Sequence, residues 1–100
     1  MKSFAERLRE DQRLVILRLL AGQNSYTANS SVLTGALVDL GHVLSRDQVR
    51  THLHWLAEQD LLTLTEPVAG VLVARLTQRG HEVSLGHALV PGVARPGVGV

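Results

Sequence analysis

Residues Ser45–Leu76, SRDQVRTHLHWLAEQDLLTLTEPVAGVLVARL, decide the fold. Ser45 with Gln48 three residues later is a capping-box pattern, in which the hydroxyl accepts from a first-turn N–H and the amide reaches back to the cap. At 100° per residue Val49, Leu53 and Leu56 fall within about a sixth of a turn of one another, with Ala57 beside them, so this side faces a core. Opposite lie Asp47, Thr51, His54 and Glu58, with Arg50 on one shoulder and Gln48 and Trp55 on the other. The helix is expected to end at Asp60. Two strands follow, Leu61–Thr65 and Val71–Leu76, rich in Leu, Val and Thr, and the turn formers Glu66 to Gly70 stand between them. A capped helix running straight into a β-hairpin is the order of a winged helix.

Upstream, Ser3 to Ala21 reads as a first helix, with Ser3 as N-cap and Glu6 three residues later. Phe4, Leu8, Val15 and Leu19 share one narrow stripe, while from Leu14 onward LVILRLL is apolar almost all round. A helix end clad on every side must be covered on every side, by the core or by a dimer interface built partly on this helix. Gly22 to Ser30 is a polar connection in which Tyr26 and Thr27 can form one short strand against the hairpin. Asn29 or Ser30 caps a second helix ending near Leu40, with Val32, Leu33, Ala36, Leu37 and Leu40 as a broad core face. Gly41 suits the left-handed position that closes it, and His42-Val43-Leu44 links tightly to Ser45. Helix, short turn, helix is the helix-turn-helix layout.

Downstream, Thr77 caps a short fourth helix, in which Gly80 weakens continuity. From His87 proline and glycine exclude regular structure. Val90-Pro91-Gly92-Val93 has the signature of a type II turn, and Leu89, Val90 and Val93 are more apolar than a frayed tail needs, so the segment either frays or packs across a groove or partner. The reading is a mainly α chain with a small β-hairpin. A three-helix core plus wing and a short fourth helix form a winged helix-turn-helix domain over 1–86, and a Pro/Gly/Val-rich tail occupies 87–100.

Composition bounds the function. The chain has 100 residues, 45% hydrophobic and 19% charged, enough for one modest core. It has no cysteine, which removes thiolate metal sites, disulfides and cysteine nucleophiles together. No apolar run approaches a bilayer span, so no membrane and a cytoplasmic location are expected. Net charge is +1, a weak bias toward polyanions. His52 and His54, two apart on a helix, diverge by about 200° and cannot share an ion. His52 is expected at the core boundary making a structural hydrogen bond. Trp55 projects toward the edge of the core face, either packed beneath the wing or anchoring a partner. No triad, phosphate-binding glycine loop or metal cluster is recognisable, so neither enzyme activity nor a cofactor is expected.

Val49-Arg50-Thr51-His52-Leu53-His54-Trp55-Leu56 followed by Asp60-Leu61-Leu62 resembles the recognition helix and wing entry of ArsR-like and MarR-like regulators. Leu76-Thr77 with Gly80 resembles the stretch after their wing. RLREDQRLVILRLL, SRDQVRTHLHWLAEQ and VPGVARP are similar to a family of small ArsR-like proteins of Mu-like phages and prophages. Asp60 departs from the usual glycine, although Asp tolerates the left-handed region better than most residues. The resemblance implies a DNA-binding transcriptional regulator, a homodimer, acting on double-stranded DNA. The candidate contacts are Arg46, Gln48, Arg50, Thr51, His54 and Arg75. Arginine reads guanine, glutamine reads adenine, and Thr51 can meet a phosphate or a thymine methyl. Asp47, Glu58 and a wing tip without a basic residue keep a second class in view: an adaptor in phage assembly or DNA packaging that contacts another phage protein.

Overall fold

A computed structural model describes residues 1–97. It contains helices α1 (Phe4–Ala21), α2 (Ser30–Asp39), α3 (Arg46–Glu58) and α4 (Gln78–Ser84). Strands β1 (Thr27–Asn29), β2 (Leu62–Val68) and β3 (Val71–Leu76) form an antiparallel sheet with β3 in the middle. The molecule is thus mixed α and β. Each helix starts on a side-chain cap. Ser3, Asn29, Ser45 and Thr77 accept from the backbone N–H of Glu6, Val32, Gln48 and Gly80, satisfying first-turn donors that have no partner within the helix. At Ser45 both halves of the capping box are made.

The α3 stripe is as expected: Val49, Leu53 and Leu56 are fully buried. They meet Ile16, Leu17 and Leu20 of α1, Leu33 and Leu37 of α2, and Leu72, Ala74 and Leu76 on the inward face of β3. Other faces differ from expectation. On α2, Val32 and Leu40 are exposed, so the core takes only Leu33 and Leu37 fully. On α1, Phe4 is 77% and Leu8 37% exposed, and Val15 and Leu19 are half-buried, so the narrow stripe faces outward while its neighbours fill the core.

The hairpin also departs from its predicted bounds. β2 runs on through Glu66 and Pro67 to Val68, with a register shift between Thr65 and Val68, and only Ala69-Gly70 turn the chain. An irregular edge strand tolerates proline because its N–H is not required by the ladder. The strand near Tyr26 exists as Thr27–Asn29 and pairs with β3. α3 stops at Glu58, and Asp60 takes φ +60° in the turn into β2. α4 runs on through Gly80, where a Cβ would stand 1.9 Å from the Leu61 carbonyl oxygen, so only glycine lets the helix lie this close to the entry of β2.

The tail is docked as far as the described residues extend; the last three of the predicted segment lie outside them. Val90 is buried, Val93 N–H donates to the Val90 carbonyl at 3.1 Å, and Gly92 takes φ +99°, forming the expected turn. Ala94 N–H donates to the Glu10 carbonyl of α1 at 3.1 Å. Gly92 lies against the indole of Trp55, so the tail covers part of this half-buried ring.

Candidate nucleic-acid interface

The capping box fixes where α3 begins, and the buried stripe fixes its rotation. Together they leave Arg46, Asp47, Gln48, Thr51, His54 and Glu58 exposed on one side. The Arg46 guanidinium donates to the Ser31 hydroxyl across from the first turn of α2. Gln48 uses its amide oxygen to accept from Ser45 N–H at 2.9 Å. That bond occupies one of the two lone pairs of the oxygen, so a bidentate grip on adenine competes with the cap. The Thr51 hydroxyl donates to the Asp47 carbonyl at 3.1 Å, a contact within its own helix. His54 is exposed.

Two of the six candidate contacts stand elsewhere. Arg50 is half-buried and turned to the hairpin: Nη1 donates to the Gly70 carbonyl at 3.1 Å and Nη2 stands 3.7 Å from Glu66 Oε1. Glu66 in turn accepts from Gly70 N–H at 2.8 Å. That backbone bond holds the Glu66 carboxyl below its ordinary range, against desolvation that raises it and with the charge of Arg50 as a lesser cause. Arg50 therefore fastens the wing tip to α3, a role that spacing along one helix cannot disclose. Arg75 opposes Thr27 and Thr63 in the sheet and points outward while Ala74 and Leu76 point into the core. It belongs to the outer sheet face and does not join the α3 group.

Behind α3 lies a polar network missed in the sequence. His52 is buried; its Nδ1 accepts from Arg13 Nε at 3.3 Å and its Nε2 stands 2.9 Å from Gln12 Oε1. A ring nitrogen that accepts from a guanidinium is unprotonated, so Nε2 carries the hydrogen and donates to Gln12. Burial, then the charges of Arg13 and Arg9, pushes the His52 pKa down to about 4. Arg13 also donates from Nη1 to the Gly92 carbonyl at 2.9 Å, and its guanidinium carbon lies 4.0 Å from the Trp55 ring centroid. One arginine thus ties α1, α3 and the tail together. The expected structural hydrogen bond of His52 is present, but the sequence offered no signal for Arg13.

Among the described residues no group of three or more His, Asp or Glu side chains is assembled to hold a metal, and no helix is long and apolar enough to cross a membrane.

Comparison with known proteins adds kinship. The chain is 51% identical over 89 residues to gp26 of Escherichia phage Mu, covering 89% of this chain and 91% of that protein. It belongs to the family of this Mu protein. A Haemophilus influenzae protein is 51% identical over 77 residues, covering 77% of this chain and 74% of its own length. The Mu relative supports reading this chain as a phage protein. No family model matches, and no solved structure matches.

Proposed function

We propose that the chain is a winged-helix protein of phage or prophage origin that binds double-stranded DNA as a transcriptional regulator, with the first half of α3 in the major groove. It acts by binding and carries no catalytic step. One observation carries the reading. α3 is presented by α2 through a tight turn, its first turns are exposed, and the hairpin beside it is pinned by Arg50. This supports a winged helix-turn-helix geometry with a rigid rather than a trailing wing. Base contacts fall to Arg46, Thr51 and His54, with Gln48 giving one donor and Arg50 acting through the wing.

Charge limits the affinity. Asp47, Glu58 and Glu66 offset Arg46 and Arg50, so each subunit meets roughly two or three phosphates, and the logarithm of affinity should fall with log salt at a slope near about −2 to −3 per subunit. A homodimer would double that. The exposed stripe of Phe4 and Leu8, with Val43 82% exposed nearby, supports pairing through α1. The test is duplex binding at two salt concentrations by wild type and an Arg46→Ala/His54→Ala double variant, alongside light scattering. Equal binding by both proteins rejects the α3 face, and a monomer at high concentration rejects the dimer.

The acidic side chains on α3 and at the wing tip favour the second reading, an assembly or packaging adaptor that uses this face for protein contacts. No duplex binding at low salt, together with binding to a phage protein that Glu58→Lys abolishes, would establish it over the first.

A further inference from the structure

The charge of this molecule is unevenly placed. Residues 1–21 and 87–97 hold six basic and three acidic side chains, whereas residues 22–86 hold four basic and six acidic. The near-neutral total of +1 hides a positive side, built from α1 and the tail that Ala94 and Gly92 fasten to it, and a negative remainder containing α3 and the wing.

The cations on the positive side converge. Arg7 and Arg18 are eleven residues apart on one helix and so point within about 20° of each other. The docked tail brings Arg95 alongside them. Arg18 and Arg95 line a pocket of about 600 Å³ whose other walls include Ala21, Leu85 and Pro96. Arg95 also lines a second hollow of about 390 Å³ with Lys2, Arg7 and Glu10. Lys2 is paired with Glu10 at 2.8 Å; Arg7, Arg18 and Arg95 are exposed and have no ion-pair partner among the described residues.

We propose that this seam between α1 and the C-terminal tail is a docking site for an acidic segment of a partner protein. Its carboxylates pair with Arg18, Arg95 and Arg7, and one aliphatic side chain sits in the pocket between Arg18 and Arg95. Arginine suits the task because its planar fork grips a carboxylate with two parallel N–H donors. The pocket selects the class of partner. Ala21, Leu85 and Pro96 give it an apolar part beside the two guanidinium groups, and a peptide alternating acidic and aliphatic residues fills both requirements. The proposal is independent of the role of α3, because the two surfaces share no residue.

The test uses the full chain and a fluorescein-labelled peptide rich in glutamate with two interspersed leucines, followed by anisotropy. Binding should weaken as salt rises, and Arg18→Glu/Arg95→Glu should weaken it at least about tenfold, while Arg46→Glu leaves it unchanged. Since charge reversal near the tail can undock it, Arg18→Gln is measured in parallel with Trp55 emission as the indicator of a docked tail; a docked tail with several-fold weaker binding supports the site. Unchanged affinity in both variants overturns the proposal. So does equal binding of a peptide with alanine in place of leucine, which would leave the pocket without a role. Displacement of the peptide by duplex DNA, with duplex binding lost in the same Arg18 and Arg95 variants, would reassign the seam to nucleic acid.

Discussion

Replacing Gly92 by alanine should free the tail without unfolding the body. Gly92 stands at φ +99°, and its missing Cβ would lie 2.6 and 2.7 Å from two ring carbons of Trp55 and 3.3 Å from Nη1 of Arg13. Positive φ costs an L-residue about 1–2 kcal/mol, and forcing a methyl into a filled site adds about 1–3 kcal/mol. Against this the tail holds on through Val90, whose burial is worth about 1.5–3 kcal/mol, and through its bonds to Arg13 and Glu10, worth about 1 kcal/mol each. Ordering the segment takes back a large part of that sum, at about 1 kcal/mol or more per residue. The strain therefore exceeds the net gain from docking, and the segment lets go. The loss is capped at what docking contributes; we expect about 2 kcal/mol, a fall in thermal midpoint of about 8–16 °C for a domain this size. Trp55 is the sole tryptophan, so the event is directly visible. Uncovering the indole should shift its emission to the red and open it to iodide quenching, with far-ultraviolet dichroism unchanged. An unshifted emission spectrum and a midpoint within about 2 °C of wild type would refute the docked tail as the cover of Trp55.

Three further outcomes follow from the same packing. Gly80→Ala forces a methyl to within 1.9 Å of the Leu61 carbonyl oxygen and should destabilise by about 3 kcal/mol or more, read by thermal or urea unfolding; a neutral result would mean that α4 does not approach β2 this closely. His52 is held neutral in the fold down to about pH 4, whereas in the unfolded chain it titrates near 6.5. Between those values the unfolded state binds the extra proton, so stability should fall as pH drops from about 6.5 toward 4, and His52→Gln should flatten the slope measured between about pH 5 and 7. Arg50→Ala removes the cation that clamps the Gly70 carbonyl and faces Glu66, and amide exchange at Val68 to Val71 should rise several-fold while the core of α3 stays protected; unchanged exchange at the tip would show that the turn holds itself.

The fold was legible wherever a local rule and the hydrophobic period agreed. The Ser45 cap with its Val49, Leu53 and Leu56 stripe, the Thr77 cap, the β3 bounds and the glycine closing α2 are all decided within a few residues of chain. Periodicity failed where two faces of a helix were both apolar. On α1 it marks Phe4, Leu8, Val15 and Leu19 as one stripe, but only tertiary packing decides that the neighbouring set Ile16, Leu17 and Leu20 goes inside. The same limit applied to the site. Exposure of Arg46, Gln48, Thr51 and His54 follows from helix phase, whereas the attachment of Arg50 to Gly70 and of Arg13 to Gly92 depends on contacts across twenty and seventy-nine residues. No spacing rule reaches that far.

That difference bears on what a basic residue on the exposed face of α3 means. A guanidinium reads a base or phosphate only when its donors are free, and on α3 the two arginines differ in this respect. Arg46 binds one exposed hydroxyl, a contact water or phosphate replaces at little cost. Arg50 faces a carbonyl and a carboxylate that are themselves tied together through Gly70, so drawing it away costs the hydrogen bond to the Gly70 carbonyl. Counting arginines on the helix therefore overstates its attraction for a polyanion. Further exposed arginines without an ion-pair partner among the described residues, Arg7, Arg18 and Arg95, stand on α1 and the tail, away from α3. On the proposed reading, a duplex held by α3 is held by fit to Arg46, Thr51 and His54 more than by charge.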